Sequence, residues 1–325
     1  MRAAIRLKYH YSNPKLEQEL LGLRFPNPVG IAAGFDKNGK IVKTLEALGF
    51  GFVEIGSITA RPSKGNAKPR MFRLPDDQAV INRMGLNNDG ADAIIDRLDM
   101  NGVGIPVGIN IAKTHDPAIL GDTAIADYIH SFKRAEEKAD YIMVNISCPN
   151  TAEGITFEQE EPLRDLLGGI MANRSRPDIQ VLVKFSPDVD LATLESLVGI
   201  SQDVGVKGFA ISNTSTNRQG LLTPASTLDS IGRGGLSGRP LCDKVEIMTR
   251  RLRSFAGKDA VIIGVGGIDS PEAALGRLKS GAQLVQVYTG LIYQGPSLPS
   301  RINRSLVRNI EASSTSNLLD LQSDC

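Results

Sequence analysis

Asn145-Ile146-Ser147-Cys148-Pro149-Asn150 packs two amides, a hydroxyl and a thiol into one short stretch. An amide side chain offers both donors and an acceptor, so Asn145 and Asn150 suit a planar ligand edged by alternating carbonyls and N–H groups. The remaining amides of this kind are Asn82, Asn87, Asn110 and Asn213, the last followed by Thr214. Each alone reads equally as a turn residue, and their number favours a common ligand. Cys148 is either a small buried hydrophobe or a base or nucleophile, the latter requiring a lowered pKa or a partner that takes its proton. Lys37 and Lys184 each end an apolar run, where a charge needs a partner: an anionic ligand or the electron-rich edge of a cofactor, unless the chains reach out to solvent at a rim. Two glycine clusters, Gly264-Val265-Gly266-Gly267 and Thr289-Gly290, expose backbone N–H groups of the kind that nest a phosphate. Ser237 and Gly238, within Gly234-Gly235-Leu236-Ser237-Gly238, add further donors.

Other chemistries are weakly supported. His10, His115 and His130 are scattered and none ends a strand-like run, which argues against a histidine triad or metal site. Cys148, Cys242 and Cys325 are odd in number and lack metal-ligand spacing, so no disulfide framework is expected and a reducing, cytoplasmic setting fits. A net charge of +1 gives no pull toward nucleic acid. The N-terminus lacks the long apolar run of a signal peptide or a membrane span.

The elements that must position these groups are short apolar, β-branched runs: Val29–Ala33, Phe52–Ile58, Val107–Ile111, Tyr141–Ile146, Val181–Phe185, Gly208–Ser212, Ala260–Val265 and Leu284–Tyr288. Runs apolar on both faces suit buried parallel strands. Between them lie stretches of helical period, such as Leu191, Leu194, Leu197 and Val198, or Ala273, Ala274, Leu275 and Leu278. Eight strand–helix alternations predict a (β/α)8 barrel, an α/β fold. Polar groups end nearly every run, which suits a barrel mouth better than the single switch point of an open sheet. With 41% apolar and 22% charged residues, the whole chain, 1–325, can form one globular domain. Residues 1–20 read as a short extension and 312–325 as a Ser-rich, flexible tail. The stretch Arg61–Gly90 is too long for a plain connection and reads as an excursion over the mouth.

Five motifs together resemble the dihydroorotate dehydrogenase family, closest to its quinone-linked class. They are Asn27-Pro28-Val29-Gly30-Ile31-Ala32-Ala33-Gly34-Phe35-Asp36-Lys37, Gly51-Phe52-Val53-Glu54-Ile55-Gly56-Ser57, Ile81-Asn82-Arg83-Met84-Gly85, Gly235-Leu236-Ser237-Gly238-Arg239-Pro240-Leu241 and Ile263-Gly264-Val265-Gly266-Gly267-Ile268. The resemblance implies an FMN-binding barrel that oxidises (S)-dihydroorotate to orotate in pyrimidine synthesis. It places FMN against Ala32, Ala33, Ser57, Asn110, Asn145, Lys184, Ser212, Gly238, Gly267, Tyr288 and Thr289, to which the glycine clusters add Ser237 and Gly266. It places the pyrimidine against Lys37, Asn82, Asn145, Asn150, Asn213 and Thr214, with Asn87 added from the amide set, and puts Cys148 at the position of the base. The implied chemistry removes a proton from C5 and passes a hydride from C6 to the flavin, with Lys184 stabilising the negative charge of the reduced ring. A second substrate then takes the electrons, quinone by resemblance.

The sequence departs from that class in three places. The quinone-linked class carries serine where Cys148 stands; a thiol, with a pKa of about 8.5, deprotonates more easily than a hydroxyl. Only a short segment precedes the barrel motifs, where the class has a membrane-docking helical pair, so the acceptor and any peripheral membrane attachment stay open. The loop Thr151-Ala152-Glu153-Gly154-Ile155-Thr156-Phe157 lacks the arginine usual there. These departures keep three alternatives alongside: an FMN oxidoreductase of another dihydropyrimidine, a non-catalytic flavin or orotate binder, and a flavin-free phosphate-binding barrel lyase or isomerase.

Overall fold

The computed structural model describes residues 1–147, 157–313 and 315–323. Its thirteen strands among these residues are β1 (Gln18–Leu20), β2 (Leu23–Phe25), β3 (Val29–Ile31), β4 (Phe52–Ile58), β5 (Met71–Leu74), β6 (Ala79–Asn82), β7 (Val107–Ile111), β8 (Tyr141–Asn145), β9 (Gln180–Phe185), β10 (Gly208–Ile211), β11 (Gly235–Gly238), β12 (Val261–Val265) and β13 (Leu284–Val287). Eight of them close a barrel in the order β10-β12-β13-β3-β4-β7-β8-β9, each pair parallel. These are the eight predicted runs. Several stop a residue or two early; β3 ends at Ile31 because Ala32 and Ala33 already bend into the mouth.

A helix follows each barrel strand: Val42–Ala47, Ala91–Arg97, Gly121–Glu136, Glu160–Ala172, Leu191–Asp203, Cys242–Ala256, Pro271–Lys279 and Leu298–Ala312. Every residue of β4, β7 and β8 is buried, as strands covered by helices outside and side chains inside must be. The helices contribute the other half of the outer core; Leu194, Leu197 and Val198 face inward from theirs while Leu191, at its first turn, is exposed.

The floor of the barrel is filled by Phe52, Tyr141, Met143, Leu182, Ala210, Ile263 and Leu284, with Phe25 pushed up from beneath by the β1–β2 hairpin. Phe25 and Phe52 meet edge to face at 5.5 Å between ring centres. Two strand glycines make room for these rings. A Cβ on Gly30 would lie 2.4 Å from Phe52 Cζ, and one on Gly108 would lie 2.1 Å from Tyr141 Cζ.

Over the mouth, the predicted excursion is a hairpin, β5–β6, extended by β11 into a three-stranded antiparallel sheet. Strand β11 comes from the glycine-rich donor segment, which the sequence does not mark as a strand; it pairs Gly235 with Asn82 of the excursion. Within the segment expected to be a tail, a short helix, Leu318–Ser323, packs on the Pro271–Lys279 and Leu298–Ala312 helices with Leu318 fully buried.

Candidate active site

The polar ends of the strands converge on one cleft of about 1200 Å³ at the C-terminal mouth. That exceeds the roughly 300–1,000 Å³ typical of a site for one small ligand, so a cofactor and a substrate can share it. At its base is Lys184, on β9 between Asn145 of β8 and Ala210 of β10. Its side chain is buried, and it makes no hydrogen bond or ion pair with any described residue. Burial lowers its pKa, and the nearby Glu54 carboxylate opposes that shift. A buried lysine with no hydrogen-bond or ion-pair partner among the described residues suits an electron-rich ligand.

Glu54 is fully buried on β4 beneath the cleft. Its two oxygens accept from Asn110 Nδ2 at 2.8 Å, Gln286 Nε2 at 2.8 Å and Tyr141 Oη at 3.3 Å. Burial, and then this carboxylate, hold the Tyr141 hydroxyl well above its usual pKa, so it stays a donor. The chain of contacts continues upward. Ser57 Oγ donates to Asn110 Oδ1, and Asn145 Nδ2 donates to Ser57 Oγ at 3.3 Å. Asn145 Oδ1 in turn accepts from Ser147 Oγ at 3.0 Å and Asn213 Nδ2 at 3.3 Å. Asn213 Oδ1 accepts the backbone N–H of Thr214 at 2.9 Å. These amides are thus fixed in orientation by one another before any ligand arrives, which is the preorganisation a planar substrate needs.

The opposite rim is built for an anion. Gly266 and Gly267 line the cleft with φ of 108° and 74°, and their N–H groups donate to no described residue. A Cβ on Gly267 would lie 2.4 Å from Cys242 Cα, so only glycine lets this turn sit against the Cys242–Ala256 helix. Ser237 Oγ and Thr289 Oγ1 pair at 2.9 Å across the same rim. Tyr288 Oη donates to the Gly34 carbonyl at 3.2 Å and its ring meets Phe35 edge to face.

Of the residues singled out from sequence, Ala32, Ala33, Lys37, Ser57, Asn82, Asn145, Lys184, Ser212, Asn213, Thr214, Ser237, Gly238, Gly266, Gly267, Tyr288 and Thr289 all line this one cleft. Asn110 does not; it lies below and reaches the cleft through Ser57. Asn87 faces a separate, smaller cleft with Lys64, Lys68 and Arg70, so the structure sets it apart from the other amides. Cys148 and Asn150 fall outside the described residues. The departures of sequence at 148 and in the loop after Asn150 fall there too, except Phe157, which is buried against Tyr128.

Sequence reasoning passed over three groups. Glu54 and Gln286 interrupt apolar runs at inward positions two residues beyond Phe52 and Leu284, a signal that was present but not used. His115, in the loop after β7, reaches the rim of the cleft and meets Asn66 at 3.1 Å, although it ends no strand. No group of metal-binding side chains occurs among the described residues.

The sequence profile described as Dihydroorotate dehydrogenase matches residues 15–310. The chain belongs to the dihydroorotate dehydrogenase family. It is an oxidoreductase of this flavin-using family. Among its relatives, dihydroorotate dehydrogenase (quinone) of Natronomonas pharaonis is 43% identical over 301 residues, 92% of this chain and 83% of that protein. The enzyme of the same name from Thermobifida fusca is 42% identical over 300 residues, 90% of this chain and 79% of that one. The crystal structure of DHODH in complex with ferulenol from Eimeria tenella superposes with a TM-score of 0.87 at 30% identity, over 99% of this chain and 92% of the other. Both the barrel and the excursion over its mouth therefore belong to a dihydroorotate dehydrogenase. No helix among the described residues is long and apolar enough to cross a membrane.

Proposed function

We propose that this chain is one FMN-binding unit that oxidises (S)-dihydroorotate to orotate in pyrimidine synthesis and passes the electrons to a quinone. The observation that carries the reading is Lys184: a buried ammonium at the base of the cleft, with no described partner, under a lattice of preoriented amides. FMN, rather than an unphosphorylated flavin, is supported by the unused N–H groups of Gly266 and Gly267 beside Ser237 and Thr289. Ala32, Ala33, Ser57 and Ser212 would flank the ring system, Gly238 and Tyr288 its sugar-phosphate side, and Asn110 would act by holding Ser57.

When bound, FMN supplies the two-electron acceptor for the hydride that leaves C6. The protein does the rest. Asn82, Asn145, Asn150, Asn213 and Thr214 hold the pyrimidine amide edge, and Lys37 meets its carboxylate. Cys148 takes the C5 proton from the ring so oriented. Lys184 would offer its positive charge to the bound flavin, and the Glu54 carboxylate beneath opposes the lowering of its pKa by burial. Asn87, in its separate cleft, is left out of the substrate site.

Quinone is supported by the names of the relatives. A quinone acceptor would bring the protein to the cytoplasmic membrane face. Helix Arg2–Tyr9 suits such a surface: none of its residues is buried, Leu7 is 91% exposed, and Arg6 and Lys8 stand beside it. The test is to reduce the enzyme anaerobically and offer quinone, fumarate, NAD and oxygen in parallel. Fastest reoxidation by quinone is expected. Faster reoxidation by fumarate or NAD contradicts the acceptor, and faster reduction by dihydrouracil than by dihydroorotate contradicts the substrate.

A further inference from the structure

Arg277, on the Pro271–Lys279 helix, is fully buried and ranks first in volume among the wholly buried side chains. Its Nη2 donates to two backbone carbonyls, Cys242 at 3.0 Å and Gly266 at 3.1 Å. Its Nε and Nη1 have no partner among the described residues, and no described carboxylate pairs with it. Burial lowers its pKa to about 10, which leaves it a cation at neutral pH. The Glu246 carboxylate acts on it only from beyond ion-pairing distance, and a buried cation without a direct counter-ion is costly unless an anion comes near.

The anion site is on the other side of the glycine turn. In a trans peptide the C=O and the following N–H point in opposite directions. With the Gly266 carbonyl drawn back to Arg277, the N–H of Gly267 is turned away from Arg277, and both glycines line the cleft. The Cys242 carbonyl belongs to the first residue of a 15-residue helix whose positive end abuts the same turn. The stem of Arg277 is packed under Gly264, where a Cβ would lie 2.3 Å from Cγ, so the guanidinium has little freedom to swing elsewhere.

We infer that Arg277 is a positioning residue for the phosphate of the cofactor: it fixes the Gly266–Gly267 turn from behind and supplies the buried positive charge that a phosphate dianion balances. The inference rests on the reading of the bound group as FMN.

The test compares FMN with riboflavin, which differ only in the phosphate, on the full-length enzyme and its R277M and R277K variants. In R277M, FMN should dissociate about ten- to a hundredfold more readily, the worth of a charge-assisted contact, while riboflavin affinity changes less than about threefold. R277K, which keeps the charge, should retain most of the preference for FMN. Equal weakening of both ligands, or of neither, overturns the role of Arg277 while leaving the cofactor assignment intact. A native enzyme that binds riboflavin as tightly as FMN overturns the assignment itself. Should R277M fail to fold, phosphorus NMR of the native holoenzyme decides: the bound phosphate should remain a dianion at a pH well below about 6, where a free phosphate monoester takes up its proton. Protonation at or above that value contradicts the inference.

Discussion

The two halves of the barrel interior are built on the same strands and do opposite things. The lower half is sealed by Phe52, Met143, Leu182, Ala210 and Leu284. Two residues further along four of these strands, and therefore facing the same way, stand Glu54, Asn145, Lys184 and Gln286, while Ser212 lines the cleft just past the end of β10. One pleat period separates a packed floor from a polar cleft. Between them runs the Glu54 network, in which the carboxylate accepts from Asn110, Tyr141 and Gln286 beneath Lys184. The floor provides a rigid base, and the residues above it can be chosen for chemistry because the floor already supplies the burial.

That division predicts that changes above it affect rate and changes below it affect stability. Cys148→Ala, at the proposed base, should slow flavin reduction by dihydroorotate about 10²–10⁴-fold, the usual worth of a general base. Reduction near the native rate at neutral pH would remove Cys148 from the mechanism. Phe52→Ala, on the floor, should cost about 3–5 kcal/mol in denaturant unfolding, with the reduction rate of the remaining folded enzyme little altered. A rate loss without a stability loss would break the comparison.

Glu54→Gln sits on the boundary and should show both effects in smaller measure. Stability should fall by about 1–3 kcal/mol, since three donors now face one fewer acceptor oxygen. Burial already depresses the pKa of Lys184 and Glu54 opposes it. Without that carboxylate the ammonium is lost at a lower pH, so the alkaline limb of the reduction rate should move down in pH. An unmoved limb contradicts the coupling. The smallest effect is expected at Ser270, whose side chain caps the Pro271–Lys279 helix by accepting from Ala273 N. Ser270→Ala should cost about 1 kcal/mol and leave the chemistry untouched, read from the thermal midpoint and the reduction rate together.

The barrel was legible because its strands are apolar on both faces and its polar residues cluster at strand ends, as at Lys184 and Asn145. Most of the cleft followed from the same positions. What escaped depends on distance along the chain. The β1–β2 plug and the β6–β11 pairing join segments whose partners no local pattern reveals. Asn87 resembles Asn82 in type and neighbourhood, yet the turn at Gly85 sends it to another cleft. Arg277 reads as an ordinary helix-face cation until the glycine turn is seen packed against it.

The central claim is that this barrel takes electrons from dihydroorotate. Its most direct test is anaerobic addition of (S)-dihydroorotate to the purified enzyme, with flavin absorbance and orotate followed together. Bleaching of the flavin with one orotate formed per flavin is the predicted result. A flavin that stays oxidised in excess dihydroorotate would contradict it.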